Sequence, residues 1–100
     1  MPLFAIIGHD VADSTAKRAM IRPAHIERLA KLHDEKRLII AGPTPIEHGE
    51  SAMSGSLIIA HFDDLKHALA WADKEPYLHG GVYSHVEVKP FIQALPKVDL

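Results

Sequence analysis

Short apolar runs, separated by polar or Pro/Gly-rich stretches, set the rhythm of this chain. Leu3 to His9 (LFAIIGH) is apolar and rich in β-formers, which predicts a strand. Asp10 to Thr15 (DVADST) reads as a polar turn. Lys17 to Ile21 has the makings of a helix start, but Pro23 resets the chain. Proline suits a first helical position, where its missing N–H would be unpaired anyway. From Pro23 to Lys36 the spacing is helical, with Ile26, Leu29, Ala30 and His33 on one face. Arg37 to Ala41 predicts a second strand, stopped by Gly42-Pro43-Thr44-Pro45, and Ile46 to Ser54 a polar loop. Ser56 to Phe62 (SLIIAHF) predicts a third strand. Asp63-Asp64 supplies an N-cap, and Leu65, Ala68, Leu69 and Ala72 recur at helical spacing. That helix ends by Glu75, because a residue before proline avoids the helical region. After Gly80-Gly81, Val82 to Lys89 alternates: Val82, Ser84, Val86 and Val88 face one way, Tyr83, His85, Glu87 and Lys89 the other. Residues from Ile92 to Leu100 carry no pattern.

The order β-α-β-β-α-β predicts an α+β, ferredoxin-like fold: a four-stranded antiparallel sheet with two helices on one face. Residues 1–92 form a single domain and 93–100 a C-terminal tail. The first three strands are apolar on both faces, as in Phe4 and Ile6 against Ala5 and Ile7. An antiparallel sheet with one solvated face should alternate instead. The face without helices would then be a large apolar patch, which monomers rarely carry. A symmetric homodimer through the sheet face is therefore expected, with a cleft between sheet and helices as the site. The rival is a sheet face covered by the 46–54 loop and the tail.

Composition narrows the chemistry. The chain has 100 residues, which suits one domain, and 47% hydrophobic content, which excludes a disordered chain. No apolar run is long enough to span a bilayer and no signal peptide is recognisable, so a cytoplasmic protein with no membrane partner is expected. Zero cysteines exclude thiolate nucleophiles and Cys-ligated metal. A balance of 11 basic against 13 acidic groups gives no footprint for nucleic acid. Eight histidines outnumber the aromatic residues and make the chain responsive to pH near neutrality.

The histidines separate by context. His25 sits near the start of the first predicted helix, at the edge of its apolar arc, where it can reach a cleft. The helix N-terminus there favours a neutral ring able to accept a proton. Glu75 closes the second helix, an unfavourable place for a carboxylate unless it pairs with something, such as a histidine. His33 lies on the apolar face and reads as a core or capping histidine. His48 and His67 read as solvated. His9, His61 and His85 lie on strands and could converge on one sheet face, but no tight spacing marks a metal motif, so no metal and no cofactor are assigned. Ser56 lacks the Gly-x-Ser-x-Gly context of a nucleophile elbow, and Gly42-Pro43 the glycine spacing of a phosphate loop.

The stretches RPAHIERLAKLHDEKRLIIAGP (22–43), GSLIIAHF (55–62) and WADKEPYLHGGVYSHVEVKPF (71–91) resemble the YCII-related, or YciI-like, family. The resemblance covers residues 1 to about 92. It implies a dimeric α/β-barrel fold similar to that of muconolactone isomerase. It also implies an active site pairing a first-helix histidine with an aspartate before a Pro-aromatic dipeptide. His25 in Arg-Pro-Ala-His matches the histidine. Glu75 in Lys-Glu-Pro-Tyr stands where the family has aspartate, one methylene longer, with Asp73 as the alternative partner. Pro43, Ser56 and Tyr77 match substrate-binding positions, and Gly42, Gly55 and Pro76 shape the pocket. A relative in this family eliminates HCl from a chlorinated hydroxyhydroquinone. The implied activity is therefore cofactor-free acid–base chemistry on a small cyclic or aromatic compound: a lyase, dehalogenase or isomerase with a His25–Glu75 dyad. The alternative is a non-catalytic ligand-binding or accessory dimer that retains the fold.

Overall fold

Strand β1 (Leu3–Asp10) is the spine of the sheet, pairing antiparallel with β3 (Met53–His61) on one side and β4 (Tyr83–Phe91) on the other. Strand β2 (Leu38–Pro45) pairs antiparallel with β3, giving the order β2-β3-β1-β4. Helices α1 (Thr15–Asp34) and α2 (Leu65–Asp73) make the crossings, and a short α3 (Pro76–His79) precedes β4. The computed structural model describes residues 1–97. The architecture is the ferredoxin-like βαββαβ arrangement with one added helical turn. The expected tail, 93–100, lies partly outside the described residues. No helix among the described residues is long and apolar enough to cross a membrane.

Register decides which residues meet the helices. Phe4 pairs with Ala60 and Ile6 with Ile58, so these four share one face. Leu29 and Leu32 of α1, Ala68 and Ala72 of α2, and Phe62 close over them as the main core. A smaller cluster of Tyr77, Val82 and Tyr83 packs at the α3 end of the molecule. Gly8 makes that cluster fit: a Cβ there would lie 2.4 Å from Cζ of the Tyr83 ring.

Three sequence expectations are corrected. The first helix does not begin at Pro23 but at Thr15, and runs straight through the proline. Pro23 and Ala19, four residues earlier, are both exposed, so water can reach the carbonyl that the missing amide leaves free. His25 is therefore mid-helix, and the helix N-terminus has no hold on it. The buried face is Arg18, His25, Leu29 and Leu32; Ile26, Ala30 and His33 are exposed. Positions 18, 25 and 32 are two turns apart, and the first two carry polar groups that hydrophobicity does not count.

The second correction is at β2, which does not stop at Ala41 but continues through Gly42-Pro43-Thr44-Pro45. It is an edge strand, where proline's missing donor costs no ladder bond. Continuation sets Pro43 opposite Ser56 and Thr44 opposite Gly55. Correspondingly β3 starts at Met53 rather than Ser56.

The third correction falls on the rival expectation alone, a sheet face covered by the 46–54 loop and the tail. Ile40 is 62% exposed, Leu57 39% and Phe91 40%, so the 46–52 connection and residues 93–97 leave it open there.

Candidate active site

The site begins with a proline. Pro76 holds Glu75 in an extended conformation and starts α3, so Glu75 becomes the N-cap of that turn. Its Oε1 accepts the Tyr77 amide at 3.3 Å. This reverses the expected electrostatics: α2 ends at Asp73, and Glu75 stands at a helix start, which favours a carboxylate. Glu75 is 1% exposed, and a carboxylate sealed that deeply needs partners. Arg28 Nη1 donates to Oε2 at 3.1 Å, and the same guanidinium reaches the Trp71 carbonyl at 2.8 Å and lies over the Trp71 ring. Burial lowers the Arg28 pKa and Glu75 works against that fall.

The third partner is His25, whose Nδ1–H donates to Glu75 Oε1. That bond selects the tautomer: with the proton on Nδ1, the Nε2 lone pair is the basic position. Among the described residues Nε2 makes no hydrogen bond. The ring is stacked on Tyr77, centroids 4.0 Å apart and planes 18° from parallel, so it is held on its face as well as at its edge. Burial pushes the Tyr77 phenol up, keeping it neutral.

Sequence reasoning missed a second buried network. Arg18 Nε and Nη2 donate to Asp10 at 2.6 and 2.9 Å, in a two-pronged pair. Nη2 also reaches the Gly55 carbonyl and the Ser56 hydroxyl, and Ser14 donates to Asp10. Burial works against the Arg18 charge, but Asp10 more than offsets it and holds its pKa above the usual value. The guanidinium lies 4.9 Å from the centre of the Tyr77 ring. This network ties β1, α1 and β3 together below the site. The available signal was Arg18, seven residues before His25 and so on its helix face.

Between α1 and the β2–β3 edge lies a cleft of about 160 Å³, lined by Arg18, Arg22, His25, Pro43, Ser56 and Tyr77 among others. It adjoins a second hollow of about 150 Å³ that extends to Thr15 and Met53 and shares Arg22 and Pro43. His25, Pro43, Ser56 and Tyr77 therefore meet at one cavity. Glu75 is not part of its wall; it stands behind the His25 ring. Larger hollows of about 290 and 310 Å³ lie around Arg28, Arg37 and Trp71, and His25 lines neither. Asp73, the alternative partner, is exposed, and its carbonyl receives His79 rather than His25.

Residues 2–92 match the profile of the YCII-related domain. The chain belongs to the YCII-related family. It is 50% identical over 93 residues to Protein YciI of Escherichia coli O6:H1, covering 89% of this chain and 95% of that protein. It is 39% identical over 92 residues to an uncharacterized protein of Haemophilus influenzae, covering 88% and 94%. The fold is shared with 5-chloro-2-hydroxyhydroquinone dehydrochlorinase (TftG) of Burkholderia phenoliruptrix AC1100, solved with 2,5-dihydroxybenzoquinone. That likeness has a TM-score of 0.81 at 21% identity, over 92% of this chain and 95% of the other. In this YCII-family chain the His25–Glu75 pair and the cleft are thus carried on a fold that holds a ring compound in another protein.

Proposed function

We propose that this YCII-family protein is a cytoplasmic, dimeric acid–base catalyst acting on a small cyclic or aromatic compound, in a lyase, dehalogenase or isomerase reaction. The observation that carries the reading is the buried His25–Glu75 pair, with His25 on the wall of the cleft and Glu75 behind it. Nε2 of His25 takes a proton from the substrate, and the imidazolium so formed is stabilised by Glu75 behind it. Reversal of that transfer returns the proton to product or water. Such general acid–base work contributes roughly 10²–10⁴-fold. Glu75 is a positioning residue, since it holds the ring and does not line the cleft. Pro43, Ser56 and Tyr77 shape the space for a flat ring, with Tyr77 also bracing His25. The dehydrochlorinase of like fold, bound to a quinone, supports a ring-shaped substrate. The apolar, uncovered positions Ile40, Leu57 and Phe91 support a second copy on the open sheet face.

One feature favours the alternative of a non-catalytic ligand-binding dimer: glutamate stands at 75 where the family motif has aspartate. A single experiment separates the two. The protein is titrated with 2,5-dihydroxybenzoquinone by NMR, and turnover of chlorinated hydroxyhydroquinones is followed in wild type, His25→Ala and Glu75→Gln. Catalysis predicts turnover that falls by about 10²-fold or more in His25→Ala. Binding with no His25-dependent turnover assigns the alternative. No binding, and no effect of either variant, sinks both.

A further inference from the structure

On the opposite face of the sheet from the cleft, the β1–β4 pairing assembles a second constellation. His9 and His85 are direct cross-strand partners, and Glu87 lies two residues on from His85, on the same face. The two imidazoles are stacked, centroids 4.4 Å apart and planes 8° from parallel. His9 Nε2 meets Glu87 Oε1 at 2.6 Å. One nitrogen from each ring and one carboxylate oxygen all lie within 4.8 Å of one another. The irregularity of β1 between His9 and Asp10 allows this aim: Asp10 turns to Arg18 while His9 stays opposite His85.

We infer that His9, His85 and Glu87 form a binding site for a divalent transition-metal ion of the zinc class. Two imidazoles and one carboxylate are a zinc-type donor set, leaving a fourth position for water or an exogenous ligand. The ring of His85 is already set for the task. Ser84 Oγ donates its single proton to the His9 carbonyl at 3.2 Å, so it must accept from His85 Nδ1–H at 2.8 Å. The lone pair of His85 is then on Nε2. A backbone-anchored outer partner of this kind is what fixes ligand imidazoles in metal sites. On His9, the metal replaces the Nε2 proton now shared with Glu87. Lys89 Nζ, 3.7 Å from Glu87 Oε2, pairs with the other carboxylate oxygen and leaves Oε1 to the ion. Zinc–ligand bonds of about 2.0–2.2 Å require the three donors to close in by roughly an ångström. These side chains are about two-fifths exposed in His9 and Glu87, and free to move that far. The three donors come from β1 and β4 of one chain, on the sheet face that also carries Leu57 and Phe91.

The test is calorimetric titration of metal-stripped protein with Zn²⁺, alongside visible spectra with Co²⁺. The expected result is one ion per chain with Kd below about 100 μM and cobalt bands typical of low coordination. His9→Ala and His85→Ala should each weaken binding by more than about tenfold, and Ser84→Ala by a smaller factor. His48→Ala and His67→Ala should leave it unchanged. The variants alter half-exposed or exposed positions, and circular dichroism checks that they remain folded. Zinc uptake that is absent, or insensitive to His9→Ala and His85→Ala, overturns the site. Uptake lost in His48→Ala or His67→Ala instead would also overturn it.

Discussion

His25 and Glu75 are 50 residues apart in sequence, yet Nδ1 of the one donates to Oε1 of the other in a space nearly closed to water. The same carboxylate serves Arg28 and the Tyr77 amide. Removing it strands three donors at once. Glu75→Ala should therefore destabilise the fold by about 2–4 kcal/mol, read from urea unfolding. Glu75→Gln keeps an acceptor and the shape, so a smaller loss is expected. Equal losses in the two variants would show that the charge, not the hydrogen bonding, holds this region together.

Tyr83 gives an alkaline signature. Its ring is buried, and its hydroxyl has no hydrogen-bond partner among the described residues. Burial pushes the phenol well above its usual range, only partly offset by Ser56 beside it. The unfolded chain can ionise this group near pH 10 while the folded chain cannot. Its contribution to stability is therefore whole below about pH 10 and declines as pH rises through the interval above it. Tyr83→Phe should equal or exceed wild type by up to about 1–2 kcal/mol at neutral pH, since an unpaired buried hydroxyl is removed. Urea midpoints from about pH 8 to 11 should fall less steeply in the variant. Identical slopes would clear Tyr83 of the effect.

Gly8 should tolerate no side chain. The ring atoms of Tyr83 lie 2.4 to 2.7 Å from where its Cβ would be. Gly8→Ala is expected to cost about 1–3 kcal/mol through overpacking. Made in a Tyr83→Ala background, the same change should cost much less, and a double-mutant cycle measures the coupling.

The open sheet face predicts assembly. Light scattering on the wild type should give twice the 11.0 kDa chain mass. Ile40→Asp, at a 62% exposed position, should shift the protein to the single-chain mass without unfolding it. A wild type that already scatters as one chain would remove the second copy from the proposal.

Much of the fold was legible in the sequence because local patterns carry it. The α2 helix is marked by Asp64 as cap and by Ala68 and Ala72 as its buried stripe, and structure and spacing agree there. The strand cores at Leu3–His9 and Ser56–Phe62 are equally local. The errors arose where a local rule met a long-range one. Pro23 signals a helix start, but solvent on its side of α1 lets the helix pass through. Gly42-Pro43 signals a stop, but an edge strand accepts it. Spacing alone puts His33 on the buried face of α1, which Arg18 and His25 in fact claim.

By itself the sequence determined the order of elements, the family, and the residues Arg-Pro-Ala-His and Lys-Glu-Pro-Tyr that mark the candidate site. Only the tertiary structure decided that Glu75 caps α3, that Nδ1 rather than Nε2 of His25 is occupied, and that Arg28 completes the carboxylate's partners. The same is true of His9 against His85. Periodicity reports which face of an element a residue occupies; which residues from distant elements meet there is set by register and packing across the sheet.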